Sequence, residues 1–245
     1  VHVPMREENE FAWDHAALRA AVTPRTRAIV VSSPVNPTGY VISADDIDAI
    51  ARLALEAGLF VISDESYDQM VYDGQPHLSP FALPGIADRT ILIKSFTKSY
   101  AMPAWRVGYV VAREHVIESC ARALEWEMLH GSHVAQAAAA AAMTGPRDWL
   151  DGIGDEFQRA RDALLQVLRR VDWVRCVRPG GGPFLFLNVA ERFASSEAAS
   201  EALLEVGVPT TPGHYCQSDR HVRMAFGAPR HLLEEDVARI AALGD

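Results

Sequence analysis

No stretch of the 245-residue chain approaches the roughly 18 uninterrupted apolar residues of a membrane helix, so a membrane partner is not expected. Cysteine is scarce too. Cys120, Cys176 and Cys216 are odd in number, far apart and without a CxxC pair, which leaves neither a disulfide framework nor a zinc knuckle and suits a reducing cytoplasm. Basic charge is outweighed, 23 Lys and Arg against 32 Asp and Glu for a net charge of −9, which argues against nucleic acid as a partner. Glycine 16 and proline 14 are ordinary shares, so collagen-like and low-complexity classes fall away. The chain starts at Val1, inside what already reads as ordered sequence and with no signal-like apolar region, so further sequence upstream is expected.

What is present is a globular composition, 49% hydrophobic and 22% charged, longer than the roughly 150 residues of one average domain. Three runs rich in β-branched residues begin at evenly spaced positions: Ala28-Ile-Val-Val-Ser-Ser33, Leu59-Phe-Val-Ile-Ser63 and Thr90-Ile-Leu-Ile-Lys94. Between the first two lies a helix signature, with Ser43 as N-cap, Asp46 in the capping-box position, Ile47, Ile50, Ala51 and Ala54 on one face, and Gly58 as the stop. Nearly continuous apolar strands joined this way predict a parallel sheet covered by helices. The segment 64–89 is rich in turn formers, yet its length fits a parallel crossover. Val107–Ala112 follows through a short connection containing Pro103 and is expected to run antiparallel.

Helices are expected at about 114–130, over the small-residue run Ala137–Ala142 packed closely on a neighbour, and as one long amphipathic stretch from Asp148 to Arg170. Beyond it, strands near 173–178, 184–189 and 221–226 mix with helices near 195–206 and 231–243. The expected fold class is therefore α/β, a mostly parallel central sheet over residues 1–146, followed by an interdomain helix and a smaller α+β C-terminal domain over 147–245.

Ligands of open parallel sheets sit beyond the carboxyl ends of the strands, and each apolar run ends in a polar cluster. These are Ser33-Pro-Val-Asn36-Pro-Thr-Gly39, then Asp64-Glu-Ser-Tyr67, then Ser95-Phe-Thr-Lys98-Ser-Tyr100 continuing to Trp105-Arg106. An amide, a carboxylate, a phenol, hydroxyls, a lysine and an arginine thus meet at one sheet edge, a set able to hold an anionic, aromatic cofactor.

In order and composition these clusters resemble the class I/II aminotransferases, fold-type I enzymes dependent on pyridoxal 5′-phosphate (PLP). The motifs are Asn36-Pro-Thr-Gly39, Asp64-Glu-Ser-Tyr67, Ser95-Phe-Thr-Lys98 and Ala101-Met-Pro-Ala-Trp-Arg106-Val-Gly-Tyr109. The resemblance implies that Lys98 forms the Schiff base with PLP and then moves the substrate proton, for which its amine must lie below its ordinary pKa of about 10.4. It implies that Asp64 keeps the pyridinium nitrogen protonated, although an Asp there also fits a helix N-cap. Tyr67 and Asn36 would bond the phenolic oxygen of the cofactor; a packed tyrosine and a turn-forming Asn before Pro are the plainer readings. Ser95, Thr97 and Arg106 resemble the phosphate anchor, two hydroxyls and a guanidinium that grips bidentately. Arg223, in His221-Val-Arg-Met-Ala-Phe226, matches the fork for the substrate carboxylate, with a surface ion pair as its rival reading, and the resemblance places Asn36 with it on the substrate. Glu65 reads as structural, Gly180-Gly-Gly-Pro-Phe184 as the loop entering the small domain, and His130 with His133 lack partners for a metal.

The implied activity is transfer of an amino group between an amino acid and a 2-oxo acid, in a homodimer or with a complementing polypeptide that carries the N-terminal half. Such enzymes have a long segment upstream of the position of Val1, so the chain reads as a fragment, as half of a split enzyme or, less readily, as a shortened protein with an exposed sheet edge. Two alternatives stay open: a PLP-dependent lyase, decarboxylase or oxidase, and a non-catalytic module of the same fold. The absence of a basic patch disfavours a DNA-binding version of the latter.

Overall fold

The computed structural model describes residues 1–227 and 230–243. A short helix α1 (His15–Ala20) precedes the apolar runs, which form β1 (Ala28–Ser32), β2 (Phe60–Asp64) and β3 (Thr90–Ser95) and pair as parallel neighbours. β4 (Gly108–Val111) runs antiparallel to β3, as the short connection through Pro103 predicts, and the sheet order is β1-β2-β3-β4.

Helix α2 (Ala44–Ala57) crosses from β1 to β2. The Ser43 hydroxyl accepts from the Asp46 amide while the Asp46 carboxylate accepts from the Ser43 amide, and Gly58 ends the helix at φ 67°, where only glycine sits without strain. Ile47, Ile50, Leu53 and Ala54 are buried against Ile29, Val31 and Val61, each large side chain contributing about 1.5–3 kcal/mol.

The crossover from β2 to β3 is parallel but, among the described residues, contains only two one-turn 3-10 segments, at 80–82 and 87–89. Pro80, Pro84, Gly74 and Gly85 break any helix there, and the segment is anchored by polar side chains instead: His77 and Ser79 both bond the buried Glu65.

After β3 come α3 (Phe96–Ser99), α4 (Glu114–Met128), α5 (His133–Thr144), α6 (Asp148–Asp151) and α7 (Ile153–Leu168). The helix around the alanine run is longer than the run, because Ser132 caps it by accepting from the Ala135 amide. Its packed face is narrower than expected: Ala135 and Ala139 are buried, and Ala139 joins Phe96 and Met102. The expected single helix 148–170 is broken at Gly152, a residue that disfavours a helix interior by about 1 kcal/mol relative to alanine.

A second sheet holds β5 (Arg175–Cys176), β6 (Phe184–Asn188), β7 (Thr211–Pro212) and β8 (His221–Ala225) in the antiparallel order β5-β6-β8-β7. With α8 (Ser196–Glu205) and α9 (Arg230–Ala242) it packs a core that includes Leu185, Leu187, Leu203, Val222, Met224 and Val237. Tyr67, Met70 and Tyr72, from the loop after β2, enter that core. Fully buried Arg161 on α7 fixes the join. It donates to both carboxylate oxygens of Asp73 at 2.7 and 2.8 Å and to the Pro179 carbonyl at 2.9 Å, over the Tyr72 ring. The carboxyl edge of the first sheet therefore faces β8 of the second. Among the described residues no helix is long and apolar enough to cross a membrane.

Candidate active site

The loop after β1 is folded back on the second sheet's entry loop. The Gly39 carbonyl accepts from the amides of Gly180 and Gly181, and the Ser33 hydroxyl accepts from the Ile42 amide. Asn36, at the tip of this loop, accepts from Arg223 Nη1 at 3.0 Å. Arg223 Nη2 donates to Thr211 Oγ1 at 3.0 Å, and the guanidinium lies 4.9 Å from the Phe184 ring centroid. One face and two donors of the fork are thereby fixed, and the bonds named go to neutral oxygens, so that among the described residues no carboxylate pairs with the guanidinium and its charge is available to an anion.

Tyr67 is buried, edge-on to Phe184 at 5.4 Å. Burial raises its phenol pKa, the Asp64 charge adds to the rise, and the Arg223 charge and a hydrogen bond with Asn36 oppose it. Lys98 Nζ stands 5.7 Å from the centre of the Tyr67 ring. Asp64 ends β2, and its Oδ1 accepts from the Ser66 amide and hydroxyl. That is an Asx turn rather than a helix N-cap, since no helix follows, and among the described residues no hydrogen bond reaches its Oδ2.

Lys98 sits on the single turn α3, which Ser95 caps by accepting from the Thr97 amide at 3.1 Å, so the Ser95 hydroxyl proton is still free to donate. Arg106, in the left-handed conformation at φ 51°, donates to the Pro103 carbonyl and reaches Thr97 Oγ1 at 3.5 Å. Neither partner is an acid. The structure thus gathers Asn36, Tyr67, Lys98 and Arg223 around the phenol, with Asp64 close enough to act on it by charge, and sets Ser95, Thr97 and Arg106 on and just after the turn that carries Lys98. Among the described residues Asp64 and Lys98 make no direct contact.

Several neighbours were not foreseen from sequence. Thr211 holds Arg223, and Asp68, Lys94 and Ser99 form a polar network behind the site. Lys94 carried a signal: a lysine within an apolar strand must find a counter-charge. It lies 2.8 Å from Asp68 and 3.0 Å from Glu65, and although burial disfavours its charge the two carboxylates raise its pKa. For Glu65, read from sequence as structural, burial alone would raise the pKa. Bonds from His77 and Ser79 and the Lys94 charge reverse this and hold it at about 2.

Comparison with known proteins agrees along the chain. The family described as aminotransferase class I and II matches residues 1–240. Arginine–pyruvate transaminase AruH of Pseudomonas aeruginosa is 36% identical over 98% of this chain and 62% of its own, and an aspartate aminotransferase of Bacillus subtilis is 31% identical over 98% and 63%. The solved structure of a Thermus thermophilus aspartate aminotransferase double mutant superposes with a TM-score of 0.94 at 32% identity, covering 99% of this chain and 63% of that one. An aromatic aminotransferase from Pyrococcus horikoshii OT3 gives 0.94 at 32%, covering 99% and 66%. The chain spans a little under two thirds of the length of these curated relatives.

Proposed function

Because the chain belongs to the aminotransferase class I and II family, we propose that its protein is a PLP-dependent aminotransferase exchanging an amino group between an amino acid and a 2-oxo acid. The observation that carries this reading is an amine, Lys98, without a carboxylate partner among the described residues, beside a buried phenol, Tyr67, that also faces Asn36 and Arg223.

The donor set fits the cofactor group by group. Lys98 is the amine for its aldehyde, Asp64 the anion for its ring nitrogen, and Tyr67 with Asn36 the partners for its phenolic oxygen. Ser95, Thr97 and Arg106 suit its phosphate. When bound, PLP supplies an electrophilic aldehyde and a ring that accepts the electrons freed at the substrate Cα. In our reading Arg223, steadied by Asn36 and Thr211, binds the substrate carboxylate and orients Cα. Lys98 removes the Cα proton and returns one, which an amine unpaired with acid can do and Lys94, clasped by two carboxylates, cannot. Asp64 would keep the ring nitrogen protonated, and Tyr67 would hydrogen-bond the phenolic oxygen.

We assign residues 1–146 to the C-terminal part of the large cofactor-binding domain and 147–245 to the interdomain helix and small domain. Two sheets with separate apolar cores support that division. A homodimer, or a complementing polypeptide carrying the N-terminal half, is supported by the open side of β1, where Val30 is 70% exposed, and by α4, which buries none of its residues. Three free cysteines support a cytoplasmic setting. The test is a single half-reaction of the PLP-loaded protein with each common amino acid. Stoichiometric 2-oxo acid with aminated cofactor is expected; release of ammonia, carbon dioxide or peroxide without amino transfer would contradict it.

A further inference from the structure

Two of the residues singled out above have neighbours in sequence that touch each other. Tyr67 is followed by Asp68 and Lys98 by Ser99, and the Ser99 hydroxyl donates to Asp68 Oδ1 at 2.9 Å. The other oxygen of Asp68 accepts from Lys94 Nζ at 2.8 Å and from Gln69 Nε2 at 3.0 Å. Lys94 also lies 3.0 Å from Glu65, which is 1% exposed and further held by Ser63, His77 and Ser79. A chain of charge-assisted bonds therefore joins the loop after β2 to β3 and to α3.

That junction matters because α3 is only four residues long and a single turn has no stability of its own. Beyond the Ser95 cap, its orientation must come from tertiary contacts, among them the burial of Phe96, the bond from the Phe96 amide to the Val107 carbonyl and the bond from Ser99 to Asp68. The Lys94 charge beside it favours the ionised form of Asp68, a pure acceptor, so Ser99 has to be the donor and its hydroxyl has one orientation. The chain's lysines are Lys94 and Lys98. Lys94 is spent on the carboxylates; Lys98 has no carboxylate partner among the described residues and stands beside Tyr67. An ion cluster this buried is a poor source of net stability, since desolvation offsets most of its attraction, but it fixes geometry well.

We infer that Asp68 is a positioning residue: by gripping Ser99 it sets the Lys98 amine against the Tyr67 ring. The inference rests on Lys98 being the reactive amine of the proposed function.

The test uses the intact protein labelled with 13C at lysine Cε, the signals of Lys94 and Lys98 being assigned with Lys94→Arg and Lys98→Arg. The pH midpoint of the Lys98 signal is followed without cofactor, and that of the Lys98-dependent visible band with PLP bound. Ser99→Ala removes a hydroxyl but no charge, so the carboxylates of Asp64 and Asp68 and the Tyr67 phenol are all retained and the tether alone is tested. Ser99→Ala and Asp68→Ala are each expected to move both midpoints by about half a pH unit or more, and Ser99→Thr to restore them. Should Asp68→Ala fail to fold, Ser99→Ala decides. Midpoints equal to the parent's, with only the melting temperature lowered, would overturn the inference. If the parent shows no Lys98-dependent band, the cofactor reading fails, and the Cε titration still decides the tether.

Discussion

Arg223 on β8 and Asn36 beyond β1 lie 187 positions apart in sequence, yet Arg223 Nη1 and Asn36 Oδ1 are 3.0 Å apart. This bond crosses from the second sheet to the carboxyl edge of the first, and it holds the guanidinium proposed to bind the substrate carboxylate over the Phe184 ring, near enough to Tyr67 for its charge to act on the phenol. Replacing Arg223 by lysine keeps the charge but loses the fork and the bonds to Asn36 and Thr211. Losing one charge-assisted bond of about 1.5–3 kcal/mol corresponds to a KM for amino acid raised roughly 10- to 100-fold, with kcat changed less. Steady-state kinetics with a single amino acid checks this.

Acid sensitivity should trace to Glu65. Its carboxyl is held at about 2 against an ordinary 4.5, so its contribution is fully present above the unfolded value and is lost as pH falls through about 2. The shift corresponds to a contribution on the order of 3 kcal/mol. The stability difference between the parent and Glu65→Gln should therefore narrow by that amount between pH 5 and pH 2. Urea titrations at a series of pH values measure it, and a difference independent of pH would refute the assignment.

Arg161 is fully buried, and its partners differ from those of Arg223 and Lys94. Arg161→Met keeps much of the volume but leaves the Pro179 carbonyl and Asp73 without their donor. Removing one partner of a buried pair typically costs 3–5 kcal/mol, and because Asp73 can recover water the expected loss is about 3 kcal/mol. Asp73→Asn should cost less, since Arg161 keeps Asp162 and Pro179. Denaturant midpoints of the two variants test the order.

Gly39 is required for two reasons. At φ 70° a side chain is strained, and a Cβ there would lie 2.2 Å from Pro179 Cβ and 2.7 Å from the Gly181 carbonyl. Gly74 has a similar φ of 69° and open space around it. Gly74→Ala should therefore cost about 1 kcal/mol, from backbone strain alone, and Gly39→Ala distinctly more, with a loss of carboxylate binding as the Asn36 loop shifts. Thermal melts of both variants separate strain from collision.

Much of the fold was legible because its signals are local. The apolar runs gave the strands, and Ser43, Asp46 and Gly58 gave both ends of α2. The crossover 64–89 was harder, because it is held by Glu65, His77 and Ser79 meeting across the loop rather than by any periodicity. Gly152 broke a helix whose amphipathic pattern runs through it, a case of one residue's backbone preference overriding the pattern. At the site, residues within short motifs could be named in advance. Thr211, Asp68 and Ser99 could not, since their significance lies in which side chains they meet after folding.

The claim that Lys98 is the amine that takes the cofactor is open to one direct measurement. The PLP-loaded protein is reduced with borohydride, digested, and the phosphopyridoxyl group located by tandem mass spectrometry. Within this chain the label can fall on Lys94 or on Lys98, and the peptides that carry them are told apart by sequence. The expected result is label on Lys98, none on Lys94, and none anywhere in this chain in Lys98→Arg. Label on Lys94, or no label anywhere in this chain, would contradict the account.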